Sequence, residues 1–107
     1  MTPKPGEIYL VDLGLAAKVR PAVVVSRHDL DSPRALALLV PLTTENRGSD
    51  YEVSLGKLRF LNKESWANVQ GLMSFGHERL IRPLGTVASS QLAQIKSALS
   101  FALGLSV

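Results

Sequence analysis

No cysteine occurs among the 107 residues, and that one absence removes disulfides, thiolate nucleophiles and cysteine-bound zinc together. It suits a reducing cytoplasm, the compartment expected for this chain. Long apolar runs are missing as well. No stretch approaches the roughly eighteen residues of a membrane span, and the opening M-T-P-K-P-G-E carries no apolar leader segment. A soluble, unexported protein with no membrane partner is the expectation. Histidine occurs only as His28 and His77, both in segments that read as loops, where a lone imidazole more often faces solvent than does chemistry. The acidic residues and histidines show no zinc-like spacing, there is no phosphate-cradling glycine loop, and no Ser-His-Asp order can be argued. No metal or cofactor is called for. Lysine and arginine form no polybasic run, yet twelve of them against nine acidic residues give a net charge of +3 and a pI near 9.6. That balance leans towards an anionic partner rather than a basic tail or membrane patch.

What is present is ordinary globular composition, 46% hydrophobic and 20% charged, which fits one domain over residues 1–107 with a modest core. The stretch around which the rest arranges itself is Lys18 to Ser26, K-V-R-P-A-V-V-V-S. Ala22 to Val25 reads as a strand buried on both faces. Pro21, with no amide hydrogen and a fixed φ, belongs at the first residue of that strand. Arg20 then stands at a strand mouth beside a rigid ring, with its guanidinium free to leave the sheet, as a phosphate site requires.

Ahead of this corner, Ile8 to Leu13 forms a first strand, and Gly14 to Lys18 is short enough for a hairpin loop into the second. Residues Arg27 to Arg34 read as an exposed loop, and Ala35 to Leu42 as a buried strand ending near Pro41. Tyr51 to Leu55 alternates as a half-exposed strand, with a turn at Gly56 and Lys57. Leu58 to Glu64 is ambiguous, Trp66 to Gln70 and Leu72 to Phe75 are short strand candidates separated at Gly71, and Glu78 to Leu84 is not settled by local rules. Leu92, Ile95, Leu99, Ala102 and Leu103 form the stripe of a terminal helix, capped by Ser89 or Ser90 and closed at Gly104. The pattern implies a small, strongly curved sheet or partly closed barrel partly covered by the helix.

G-E-I-Y-L-V-D-L at Gly6 to Leu13, the K-V-R-P-A-V-V-V-S stretch, and V-P-L-T-T at Val40 to Thr44 resemble the three N-terminal motifs of the MazF/PemK toxin family. E-S-W-A-N-V at Glu64 to Val69, R-L-I-R-P-L-G at Arg79 to Gly85, and A-L-S-F-A-L-G-L at Ala98 to Leu105 are similar to its PemK-like branch. The resemblance covers nearly the whole chain in order. It implies a mainly β fold with a C-terminal helix, an SH3-like small antiparallel β-barrel, usually homodimeric. It also implies the toxin of a toxin–antitoxin pair, a metal-independent endoribonuclease that cuts single-stranded RNA to 2′,3′-cyclic phosphate and 5′-hydroxyl ends and is inhibited by a cognate antitoxin.

Such a reaction lets the RNA 2′-hydroxyl attack its own phosphate, so the protein must stabilise a crowded dianionic phosphorus centre. A planar guanidinium that grips two oxygens suits this. Arg20 matches the family's catalytic arginine, and Thr43 its active-site threonine. Read alone, they would be a surface arginine beside a proline and a threonine after a strand. The resemblance further makes Lys18, Thr44, Arg47, Asn68 and Gln70 RNA-binding candidates. Trp66 or Phe75 could stack a base, although a core role weighs more for each.

Two departures from the family stand out. The Gly14 to Val19 loop is shorter than usual and lacks a Glu-Gln type pair, so general acid and base are unassigned. Asn68 to Gly76 carries Gln70 and Gly71 where relatives often have Asp-Gln, and Met73 where they have an arginine. The competing readings are a non-enzymatic toxin of the gyrase-poison type, and a degenerate member that binds RNA or antitoxin without cleaving.

Overall fold

Alternating or continuous apolar segments become strands wherever a neighbour can pair with them. The computed structural model describes residues 2–14 and 18–105, and in it the chain runs β1 (Glu7–Asp12), β2 (Val19–Val24), β3 (Leu36–Thr43), β4 (Glu52–Lys57), β5 (Glu64–Asn68), β6 (Met73–Gly76) and β7 (Leu80–Thr86), then helix α1 (Ser89–Ala102). Short 3₁₀ turns at Val69–Gly71 and His77–Arg79 flank β6. Every pairing is antiparallel, in the order β4-β5-β3-β2-β1-β7, with β6 alongside the first half of β3. The middle of the hairpin expected at Gly14 to Lys18 falls on residues 15–17, outside the described residues. Its base is in place, with the Leu13 amide donating to the Lys18 carbonyl at 3.0 Å.

The central strands bury both faces, as the unbroken run at Ala22 to Val25 predicts. Ile8, Val23, Val40 and Leu42 face one core, which Ile95 and Ala98 of α1 close. Their neighbours Tyr9, Val11, Ala22, Val24, Ala37 and Leu39 face a second, smaller core with Leu80. The helix lies over the first core and β4. Tyr51 meets Phe101 at its far end, ring centroids 5.2 Å apart.

Several expectations are corrected. Pro21 is the third residue of β2 rather than the first, and β3 runs through Pro41 to Thr43. Both prolines are tolerated because of where their missing N–H would point. The Val25 amide donates to the Leu38 carbonyl at 2.9 Å, so by alternation the odd residues of β2 direct their amides towards β3. The β2–β3 ladder ends at Ala22 with Pro41, so the bond that Pro21 withholds is the one that would have extended the ladder, and none inside it is lost. Odd residues of β3 point the other way, and Pro41 falls in the gap between the β6 pairing, which ends at Leu39, and the β5 pairing, which begins at Leu42.

The turn expected at Gly56 and Lys57 is instead a bulge inside β4. Ser54 pairs with Trp66 and Gly56 with Ser65, leaving Leu55 extra, and Gly56 takes a φ of +69° that favours glycine. The strand candidate Trp66 to Gln70 stops at Asn68, whose side chain caps the following 3₁₀ turn by accepting from the Gln70 amide at 3.1 Å. Neither Ser89 nor Ser90 caps α1. The cap is Ala88, whose amide is satisfied by the Gln91 Oε1 at 3.0 Å, while the Gln91 Nε2 donates to the Leu55 carbonyl at 3.2 Å and ties the helix to the bulge. Leu103, expected on the apolar stripe, is 57% exposed, because the helix has already ended. Gly104 at φ +69° closes it, with Leu105 donating to the Ser100 carbonyl and Gly104 to that of Phe101.

Among the described residues the edge strands β4 and β7 are not paired with each other, so the barrel is open along one seam. Residues 58–61 fill it. Leu58, Phe60 and Leu61 pack onto the first core, and the Phe60 ring lies where any side chain at Gly85 would have to go. No helix among the described residues is long and apolar enough to cross a membrane.

Candidate active site

The divergence of β2 from β3 after the Ala22–Pro41 pair opens a cleft of about 550 Å³, lined by Arg20, Thr43, Thr44, Glu45, Lys63 and Ser65 among others. Arg20 shares its face of β2 with Ala22 and Val24, and Thr43 shares its face of β3 with Ala37 and Leu39, all on the second-core side. Continuing the register by two residues past its last pair sets Arg20 opposite Thr43. The common rim therefore follows from strand pairing. Arg20 is exposed, and among the described residues its guanidinium has no carboxylate within ion-pair distance. The Thr43 Oγ1 accepts the Glu45 amide at 3.1 Å. One lone pair of the hydroxyl is thereby used, and its hydrogen is left to donate.

A second cavity of about 470 Å³ adjoins the first and shares Thr43 and Glu45 with it, and Arg47, Glu52, Asn68 and Gln70 also line it. Glu52 is the most heavily hydrogen-bonded of these residues. This carboxylate accepts the amides of Ser49 and Arg47 and the Ser49 hydroxyl, at 3.0 to 3.3 Å. The Ser49 amide chiefly, with the Ser49 hydroxyl and Arg47 adding to it, holds the Glu52 carboxyl below its ordinary range. Arg47 in turn reaches Glu45, Nη2 to Oε2 3.1 Å.

Of the residues singled out from the sequence, Arg20, Thr43 and Thr44 meet in the first cavity, and Thr43, Arg47, Asn68 and Gln70 in the second. Lys18 lines neither, sitting exposed before β2. His28 is an exposed loop residue, His77 lies in a 3₁₀ turn, and neither lines these cavities. Phe75 and Met73 pack against the second core, and the half-buried Trp66 pairs with Thr43 across β3 and β5. Sequence reasoning missed Glu45, Glu52, Lys63 and Ser65. The short step from Thr43 to Glu45, a side-chain-to-amide turn, was the available signal for the first. Nothing local pointed to Lys63.

Over residues 4–103 the chain matches the family model described as PemK-like, MazF-like toxin of type II toxin–antitoxin system. It is 33% identical to the endoribonuclease MazF9 of Mycobacterium tuberculosis, covering 94% of this chain and 95% of that one. A mycobacterial endoribonuclease in complex with its cognate antitoxin superposes with a TM-score of 0.84 at 30% identity, covering 98% of each chain. The MazE–MazF complex of Deinococcus radiodurans (Form-II), at 20% identity, TM-score 0.80 and 99% of each chain, shares the fold.

Proposed function

Because the chain belongs to the PemK-like, MazF-like toxin family of type II toxin–antitoxin systems, we propose that it is the toxin of such a pair, a metal-independent endoribonuclease acting on single-stranded RNA. The observation that carries the reading is the shared rim: a guanidinium without a carboxylate partner among the described residues and a hydroxyl with a hydrogen to donate, brought to one cleft by the β2–β3 register. In this mechanism the 2′-oxygen of the substrate forms a bond to phosphorus and gives up its proton. The bond from phosphorus to the 5′-oxygen breaks, and that oxygen takes a proton. The products are a 2′,3′-cyclic phosphate and a 5′-hydroxyl end.

Arg20 donates two parallel N–H groups to the non-bridging oxygens as negative charge builds, and Thr43 donates its hydroxyl hydrogen to the same phosphate. Glu45 is the one carboxylate lining the first cavity able to accept the 2′-hydroxyl proton. Thr44, Arg47, Asn68 and Gln70 hold the flanking nucleotides, the two amides through base edges and Arg47 through phosphate. A homodimer and a cognate antitoxin whose extended tail occupies the groove complete the proposal.

The test is cleavage of a long single-stranded RNA in EDTA with the ends mapped. Loss of one preorganised donor costs roughly 3 kcal/mol of barrier, so Arg20→Ala should be about a hundredfold slower or more. Arg20 is exposed, and its replacement leaves both cores intact. Equal cleavage by both proteins, or none by the intact one, would refute the mechanism.

A further inference from the structure

We propose that Lys63 is a second substrate-binding cation of the cleft, contacting an RNA phosphate from the far side of the β3 terminus. This rests on the ribonuclease reading above and adds to it a residue that no motif marks. In the sheet, β3 lies between β2, which carries Arg20, and β5, which Lys63 immediately precedes. The two cations thus stand on either side of Thr43 and line the same cavity.

The loop that carries Lys63 is pinned at both ends. Ser65, a buried polar residue at 2% exposure, donates its hydroxyl to the Lys63 carbonyl at 3.4 Å, and such a group is retained when it satisfies a partner. On the other side, the Leu61 amide closes a turn onto the Leu58 carbonyl at 3.0 Å, and Phe60 is seated against Gly85. These contacts anchor the backbone on both sides of Lys63, which is itself exposed.

Charge completes the case. The charged residues lining the cavity are Arg20, Lys63 and Glu45. Glu45 is engaged by Arg47, and among the described residues Lys63 has no carboxylate within ion-pair distance. Two cations without a carboxylate partner among the described residues, against one carboxylate, leave the cavity net positive and favour a phosphodiester on either side of the scissile position.

The experiment is binding of a 2′-O-methyl single-stranded RNA oligomer, which lacks the attacking hydroxyl, followed by fluorescence anisotropy between 50 and 300 mM salt (about the accessible range for such contacts). Each phosphate contact on a single strand contributes about 0.7 to the slope of log affinity against log salt. Lys63→Gln should therefore flatten the slope by about 0.7 and weaken binding about eightfold at 50 mM and about fourfold at 150 mM. Lys63→Arg should keep the slope, and Lys96→Gln, the same charge change on the exposed face of α1, should leave slope and affinity unchanged. If the intact protein cleaves RNA but Lys63→Gln binds with the intact slope and affinity, the Lys63 assignment fails and the ribonuclease reading stands. If the intact protein neither binds the oligomer nor cleaves long RNA, both fail.

Discussion

Gly71→Ala should destabilise the protein through a single contact, and the same substitution should lose its cost once that contact is removed. Gly71 ends the 3₁₀ turn that follows β5, and its φ lies outside the left-handed region, so alanine suits the backbone. A Cβ there would stand 2.6 Å from the Pro41 Cγ and 3.1 Å from its Cδ. The proline ring sits in β3 with no rotamer to escape into, so the turn itself must move. Overpacking of this kind costs about 1–3 kcal/mol. Without the clash, glycine to alanine at a compatible position stabilises by about 0.4–1 kcal/mol, by restricting the unfolded chain. In a Pro41→Ala background, Gly71→Ala should therefore be neutral or stabilising, a coupling of about 1.5–4 kcal/mol between the two sites. Urea unfolding of the four proteins measures it, and at roughly 4–8 °C per kcal/mol for a domain near this size the thermal midpoints should show it too. An unaltered Gly71→Ala midpoint, or the same loss in both backgrounds, would refute the reasoning.

Two further outcomes follow from single groups. Burial, with the Glu7 carboxylate adding to it, raises the Tyr9 phenol above its ordinary value of 10.0. The unfolded chain then loses this proton before the folded one, so stability is fully present below pH 10 and declines as pH rises beyond it. Tyr9→Phe should remove that alkaline decline in urea midpoints measured across the range, and an unchanged decline would dissociate it from Tyr9. Gly104→Ala places a Cβ in the left-handed conformation that closes α1, at a cost of about 1–2 kcal/mol. A midpoint equal to that of the parent would show that the helix end can refold around another cap.

The sequence disclosed burial better than it disclosed pairing. An unbroken apolar run such as Ala22 to Val25 implies that both faces are covered, and the two cores meet that expectation. Pro41 suggests a strand ending close by, yet a proline costs a ladder bond only if its nitrogen faces a partner, and that depends on where β6 stops and β5 begins. Gly56 suggests a turn for the same reason, since a bulge exists only relative to the opposing strand. Serines look like caps in any sequence, but Gln91, three residues after Ala88, satisfied the first amide instead. Arg20 and Thr43 were named through the resemblance, whereas their common rim needed the β2–β3 register. Lys63 was illegible because it sits in a loop whose course is set by Phe60 meeting a glycine 25 residues later, at Gly85.

The prolines and one ion pair explain why the cleft lies where it does and why its arginine is free. A strand pair usually separates where side chains crowd or a turn intervenes, but here Pro21 removes the one amide that would have carried the β2–β3 ladder past Ala22. The strands part at that point, and the next β2 residue outward is Arg20. The carboxylate nearest to it along the paired strand is Asp12, opposite Val19. By alternation Asp12 projects from the other face, where it accepts the Gly14 amide at 2.8 Å and faces the Arg79 Nη1 at 3.9 Å. Arg79 is itself steadied over the Phe75 ring, 5.9 Å from its centroid, and by the Asp12 carbonyl at 3.5 Å. The local acid is thus directed away from Arg20 and lies nearest a different cation. An arginine that had to break an internal ion pair before meeting a phosphate would surrender part of its binding energy on the way. Among the described residues Arg20 has none to break, and so the corner that opens the cleft also leaves its guanidinium ready for an anion.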